Sequence, residues 1–349
     1  MNRIPLIRVA SIVPIRDFLL RSGLSVDEIF QRAEFPSTVF ENPDLLLPYP
    51  VVTRFLEHAG RLGGGETLGA RAGLETPLEA LGLFGRRIVT ATTLGDALTT
   101  AIHAAQVYFS GETFWLTHVG NDVRLCHLFP THLDDRHQQV EQFSLCITLR
   151  FLKSIVAPEW RPLIHLKKGM PRAVADQPIL RSSAIVFDQP AWAITFPRSL
   201  LRRQLPATKA SAPRPTEMDR WKASAPGEDL ATTVAQVIGT AIAAGDADIG
   251  RVATWVGMST RTLQRRLEDA GVSYAQMLAK ARLAAAVQLL DDPMATLQDI
   301  SLKVGYSHPA HFTRAFRRWM GCAPRTFRAE RMHDAALLTV NDTPRWRLQ

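Results

Sequence analysis

Apolar residues recur at helical spacing twice within residues 249–328, with nearly the same punctuation each time. In IGRVATWVGMSTRTLQRRLE, Ile249, Val252, Ala253 and Val256 fall at i, i+3, i+4 and i+7, one face of a helix. Gly257 follows and suits the left-handed turn that ends a helix. Ser259 stands where an N-cap belongs, and Leu263 and Leu267, four apart, give the next helix a buried face. In LQDISLKVGYSHPAHFTRAFRRW, Leu297, Ile300, Ser301 and Val304 repeat the spacing 48 residues later. Gly305 matches Gly257, Ser307 matches Ser259, and Pro309 falls in a first helical turn, where its missing N–H costs little. Phe312 and Phe316 form the second apolar pair, 49 residues after the first, so the second turn carries one extra residue. The pattern predicts two helix-turn-helix units, over 249–270 and 297–319, joined by one long helix.

The first 205 residues are patterned differently. Arg16 to Arg32 reads as a helix in two pieces broken at Gly23, with Ser25 capping the second and Glu28 at the capping-box position. FPSTVFENPDLLLPYP reads as a Pro-broken loop, Val51 to Arg61 as an amphipathic helix before the flexible glycines 63–65, and Leu94 to Tyr108 as a helix. Strand signals follow near 112–119, 122–129, 162–167, 184–188 and 191–196, with a helix near 135–156 between the second and third. Gly120-Asn121 joins the first two strands as a hairpin. Helices before strands, without βαβ alternation, predict an α+β N-terminal domain over 1–205. PATKASAPRPTEMDRWKASAPG, at 206–227, reads as a linker. From 228 to 330 the pattern predicts an all-α C-terminal domain. Glu228 to Ala244 opens it, with Val234, Val237, Ile238 and Ala241 as its buried stripe. Residues 331–349 read as a flexible tail.

Composition narrows the class. A chain of 349 residues, 46% hydrophobic and 21% charged, has room for two or three soluble domains. It has no apolar run long enough to span a bilayer, and its opening, with Pro5 and Pro14, is no convincing signal peptide, so no membrane partner is expected. Three cysteines leave one unpaired and suit a reducing cytoplasm. Charge is concentrated: residues 249–330 hold 12 Lys and Arg against six Asp and Glu, a net of +6 of the chain's +8. That is the footprint of a nucleic-acid binder.

The candidate chemistry lies on the second helix of each unit. Thr260, Arg261, Gln264, Arg265 and Arg266 belong to the first, and His308, His311, Thr313, Arg314, Arg317 and Arg318 to the second. Arg pairs with guanine O6 and N7, and Gln with adenine N6 and N7, in the major groove; remaining arginines suit phosphates. One Arg-rich helix alone would read as a solvated face of a bundle, whereas two matched units favour DNA. No Walker loop, GxSxG or HExxH occurs. Cys126, His127, His132 and His137 cluster in sequence without a zinc spacing and read as surface or packing residues. No catalytic residue, metal or cofactor is therefore expected. Tyr108, Phe109, Phe114 and Trp115 sit on or beside the first strand, where aromatics serve as core more often than as pocket lining.

Residues 249–328 resemble the DNA-binding domain of AraC/XylS-family transcription regulators. The resemblance is carried by Leu263, Arg265 and Leu267, by Leu278, Arg282, Ala286, Leu289 and Leu290, by Ile300, Val304, Gly305, Tyr306, Phe312, Arg314 and Phe316, and by Gly321, Pro324, Phe327 and Arg328. It implies a seven-helix domain whose recognition helices enter successive major-groove segments about 34 Å apart. Carried over by position, base reading falls on Arg261, Gln264 and Arg265, and near Pro309, Ala310, His311 and Arg314. Pro309 and Ala310 lack side-chain hydrogen-bonding groups, so the first unit is expected to set specificity and the second to add backbone affinity. LRSGLSVDEIF, NPDLLLPYP, TLGARAG, TLGDAL and VFDQPAWAITFPRSLLRRQLP further resemble a subgroup with an arabinose-binding-like N-terminal domain. That implies a sensor or dimerisation domain, with its ligand residues unknown. Expected partners are double-stranded promoter DNA, a small-molecule effector, a second copy in a homodimer, and RNA polymerase if the protein is an activator. Two alternatives stay open: a constitutive DNA-binding regulator whose N-terminal domain only oligomerises, and an enzyme fused to a DNA-binding domain. The Pro-Cys-His-Arg motif of fused alkyltransferases is absent.

Overall fold

The computed structural model describes residues 4–130, 138–156 and 160–331. The chain divides into two compact units. One reaches to Thr233 and takes in Trp255–Gly257; the other covers Val234–Thr254 and continues from Met258.

The N-terminal unit opens with strand β1 (Leu6–Arg8), which pairs antiparallel with β2 (Leu46–Pro48). Helices α1 (Val13–Arg21), α2 (Val26–Ala33), α3 (Tyr49–Ala59), α4 (Leu68–Glu75), α5 (Leu83–Val89) and α6 (Leu94–Tyr108) precede its larger sheet. Thr93 starts α6 through a capping box with Asp96. The sheet follows as β3 (Thr113–Val119), β4 (Asp122–Leu128), β5 (Leu163–His165), β6 (Ala184–Val186) and β7 (Trp192–Pro197). Its spatial order is β3-β4-β7-β5-β6, antiparallel except for the β5–β6 pair. Gly120, at φ 59°, and Asn121 form the two-residue turn between Val119 and its register partner Asp122, as the alternation requires. Helix α7 (Gln138–Ile155) runs between β4 and β5, and two single turns, α8 (Arg172–Ala175) and α9 (Pro178–Arg181), lie between β5 and β6.

Helices α4 and α7 cross closely because α4 presents glycine. A Cβ at Gly69 or Gly73 would run into the α7 backbone at Gln139 or Phe143. This is the structural content of the TLGARAG motif, whose helix the hydrophobic period did not disclose. The loop expected over 35–50 contains β2, and the expected linker contains a helix, α10 (Pro215–Ala223). Pro215 sits in the first turn, where it starts a helix rather than breaking one, and the Glu217 carboxylate accepts from the Arg214 N–H at 2.8 Å. Trp221 on α10 is buried.

That burial is organised by Arg8, which is itself fully buried on β1. Its Nε donates to Val107 O (3.0 Å) and Nη1 to Asp44 O (2.8 Å). Its Nη2 donates to Trp221 O (3.1 Å), Ser224 O (2.9 Å) and Ser224 Oγ (3.1 Å), and the guanidinium lies 5.4 Å from the Trp221 ring centre. Burial pulls this guanidinium below its ordinary pKa, and the Asp44 carboxylate opposes that shift.

The C-terminal unit is helical: α11 (Leu230–Ala243), α12 (Ile249–Trp255), α13 (Thr260–Asp269), α14 (Tyr274–Leu290), α15 (Leu297–Lys303), α16 (Pro309–Met320) and α17 (324–331). Among the described residues these are seven helices, the number the family resemblance implies. Val234, Val237, Ile238 and Ala241 are buried, as their spacing predicts. Around the second helix-turn-helix, Ala286 and Leu290 of α14 pack with Ile300, Val304, Phe312 and Phe316. Gly305, at φ 83°, has the left-handed conformation that ends the unit's first helix, and the Arg282 guanidinium lies beside it and over the Tyr306 ring. No described helix is long and apolar enough to cross a membrane.

Candidate nucleic-acid interface

Helix α13 is positioned from both ends of its turn. Gly257, at φ 72°, closes the helix before it, and the Ser259 hydroxyl accepts from the Thr262 N–H at 3.1 Å. Leu263 and Leu267 are fully buried. At about 100° per residue, Arg261, Gln264 and Arg265 fall on the opposite arc, and all three are exposed. Thr260 and Arg266 are half-buried on the margins of that arc.

Helix α16 follows the same plan with different chemistry. Phe312 and Phe316 are fully buried, with ring centres 5.7 Å apart, and Phe327 of α17 packs edge-on to Phe316 at 5.5 Å. His311, Arg314, Arg317 and Arg318 are exposed on the far side. Thr313 is half-buried beside the aromatic pair, so it lies off the centre of that surface. The cap differs from the expected match to Ser259: the N-cap residue is His308, not Ser307, and His308 makes no side-chain cap bond. The extra residue in the second turn moves the helix start by one, and Pro309, lacking an N–H, takes the first helical position. Exposed Pro309 and Ala310 give this end of α16 a surface without side-chain donors.

The frame behind these helices includes a residue whose part was not visible in the sequence. Arg328 donates from Nε to Leu290 O (3.2 Å) and from Nη2 to Ala295 O (2.7 Å), closing α17 onto the end of the connecting helix. Carbonyls at a helix C-terminus lack intrahelical partners, and a guanidinium supplies one here.

The N-terminal candidates separate. Tyr108, Phe109 and Phe114 line a cavity, whereas Trp115 points to the other face of the sheet and is 37% exposed. His127 is buried, and its Nε2 lies 2.6 Å from Glu112 Oε2, a pair that spacing alone did not reveal. Burial pushes the Glu112 carboxyl well above the ordinary carboxylate range and His127 well below the imidazole range. Cys126 is also buried, and burial raises its thiol pKa. His132 and His137 lie outside the described residues. Among the described residues, no three His, Cys, Asp or Glu side chains are grouped to hold a metal ion.

Residues 252–330 match a family model for a helix-turn-helix domain, and residues 23–205 match the N-terminal arabinose-binding domain of AraC transcription regulators. The chain is 25% identical over 342 residues to the ornithine utilization regulator of Pseudomonas aeruginosa, covering 93% of this chain and 98% of that one. An uncharacterized HTH-type transcriptional regulator of Mycobacterium tuberculosis is 42% identical over 73 residues. That match spans 21% of either chain, about a fifth of the relative's length. The HTH-type regulator VqsM of P. aeruginosa is 42% identical over 76 residues, 22% of this chain and 23% of that one. The matched domains and relatives are transcription regulators, not enzymes.

Proposed function

The chain belongs to the AraC family of DNA-binding transcription regulators, and on that premise we propose that α13 and α16 read one promoter site under the control of the N-terminal domain. The observation that carries this reading is the pairing of faces on each helix. Buried Leu263 and Leu267 stand opposite exposed Arg261, Gln264 and Arg265, and buried Phe312 and Phe316 opposite exposed His311, Arg314, Arg317 and Arg318. Each helix is held by its apolar side and offers the other to a groove.

The two helices divide the work. On α13, Arg261 and Arg265 suit guanine edges and Gln264 an adenine edge, while Arg266 on the flank suits a phosphate. On α16, Arg314 and His311 are the base-edge candidates; Arg317 and Arg318 meet phosphates, and His308 and Thr313 border the contact. With Pro309 and Ala310 at its entry, α16 contributes more to affinity than to sequence choice. A homodimer would bring two such domains to repeated sites and raise avidity, and a site beside the core promoter would bring the protein to RNA polymerase. Effector control requires a ligand that binds two states of the chain with different affinity.

Selection of bound duplexes from a random library by the full-length protein tests the reading. The expected product is one motif with two blocks about 10–10.5 base pairs apart, the block facing α13 being the more sharply defined. A flat selection would sink sequence-specific reading, and a sharper block opposite α16 would reverse the division of work. Sedimentation of the full chain across concentration tests the homodimer.

A further inference from the structure

The N-terminal domain contains a cavity of about 100 Å³. Its walls come from β1, α1, α5, α6, the β3–β4 hairpin and α7, and Ile15, Phe84, Leu125, Phe143 and Ile147 are typical of them. A dry apolar cavity of this order, about 150 Å³ in a well-studied engineered case, takes up benzene. The few polar groups at the walls are mostly engaged elsewhere. Ser11 Oγ donates to Arg8 O (2.7 Å), the Tyr108 hydroxyl to Leu81 O (3.2 Å) and Thr148 Oγ1 to Ser144 O (2.7 Å). Among the described lining residues Glu112 brings the one carboxyl, and His127 stands behind it, with its Nδ1 3.4 Å from Ser144 Oγ. No Lys or Arg is among the described residues of the lining.

These facts exclude ligand classes by their chemistry. A carboxylate or phosphate would lose its hydration and find no cation among the described lining residues. A sugar would bring several hydroxyls, each needing a partner, to walls whose own hydroxyls are turned to backbone carbonyls. What fits is an apolar body with a single polar group near Glu112.

We infer that this cavity is the effector site of the domain, and that its ligand is a small uncharged molecule, about one aromatic ring in size, with one hydroxyl or carbonyl that meets Glu112. The inference rests on the proposed effector control. It departs from the sugar for which the matched domain family is named. With burial favouring the neutral form, the Glu112 carboxyl can accept from a ligand hydroxyl or donate to a ligand carbonyl.

The test uses the full chain, melting curves and calorimetry with four probes: benzyl alcohol, toluene, benzoate and L-arabinose. Benzyl alcohol and toluene at millimolar concentration should raise the melting temperature by several degrees and bind one to one. Benzoate and L-arabinose should leave it unchanged. Ala101→Phe, which fills the cavity from α6, should abolish both shifts. Glu112→Leu, which removes the hydrogen-bonding group and keeps an apolar wall, should weaken benzyl alcohol at least fivefold relative to toluene, and it decides the matter if Ala101→Phe does not fold. A shift from L-arabinose or benzoate equal to that from benzyl alcohol would overturn the inference. So would shifts that survive in a folded Ala101→Phe, or the absence of binding by both uncharged probes. Duplex selection on the same preparation keeps the two readings apart: a retained motif with no probe binding sinks the cavity alone, and a lost motif sinks the regulator reading.

Discussion

Arg8 and Arg265 are the same side chain put to opposite uses. Arg8 is fully buried and donates to two backbone carbonyls, Val107 O and Asp44 O, and to two at the end of α10, Trp221 O and Ser224 O; Arg265 is exposed on α13. The contrast extends across the two domains. The N-terminal domain takes a guanidinium and a carboxyl–imidazole pair inside, whereas the second helix-turn-helix has a core of Ala, Leu, Ile, Val and Phe with Arg314, Arg317 and Arg318 outside. A buried charge must be matched bond for bond, so it fixes one arrangement of the chain around it. An exposed charge fixes nothing in its own fold and is free for a partner's phosphates and base edges. Substitutions should therefore act on stability in the first domain's polar groups and on DNA binding in the second domain's arginines.

The largest effect tests the apolar side of that contrast. Phe312→Ala should cost about 3–5 kcal/mol in denaturant unfolding and abolish DNA binding with it. Arg8→Met comes next, taking the donor from the carbonyls of Val107, Asp44, Trp221 and Ser224, of which the bond to Trp221 is buried. A loss of about 3 kcal/mol is expected, with Trp221 fluorescence moving toward that of an exposed indole. A loss below about 1 kcal/mol would mean that the buried guanidinium organises nothing. Arg265→Ala should leave the melting curve in place and cost about 1–3 kcal/mol of binding at one base position; Arg317→Ala should weaken all sequences evenly and reduce the salt slope by about 1. Equal losses for Arg265→Ala on cognate and scrambled duplexes would break the division between the helices.

The Glu112–His127 pair gives a pH signature confined to the N-terminal domain. Folded, the two groups hold one proton between them. Between the ordinary values of 4.5 and 6.5 the unfolded chain also holds one, so stability is level there. Above 6.5 the unfolded imidazole is neutral while burial favours the protonated Glu112 carboxyl, so stability falls as pH rises until that carboxyl ionises, by at most about 1.4 kcal/mol per unit. Below 4.5 the unfolded chain binds a second proton and stability falls again. Glu112→Gln should remove the alkaline slope from this pair, which urea unfolding at pH 6.5 and 8.5 would register. The smallest effect belongs to the cap: Ser259→Ala should cost about 1 kcal/mol, while Ser307→Ala, outside the observed cap, should cost nearly nothing.

The sequence disclosed what repeats locally. Hairpin β3–β4 follows from alternation and Gly120-Asn121, and α12–α13 from apolar spacing with Gly257 and Ser259. It concealed what depends on a distant partner. Strands β1 and β2 have three residues each, too few to show a period. Helix α10 looked like linker because its composition is polar and Pro-rich, and Trp221 gains its burial from Arg8, 213 residues earlier. Glu112 and His127 meet because Thr113 pairs with Leu128 and Phe114 with His127, a register no spacing rule supplies. At the interface, the residue types and the exposed arc were legible from helical period, whereas the shift of the second cap to His308 was not, because a one-residue insertion has two equivalent readings until the helix start is seen.

The clamp made by Arg328 bears on genetics. A stop codon at position 328 would leave every base-reading candidate of α13 and α16 in the product. It would nonetheless strip the guanidinium from Leu290 O and Ala295 O and release the aromatic packing of Phe327 on Phe316 from its anchor. Such an allele would score as a null although its coding damage begins after α16. A gene fragment meant to supply the DNA-binding half alone must for the same reason run past Arg328, and past Arg331, whose ion pair with Asp291 continues the seam.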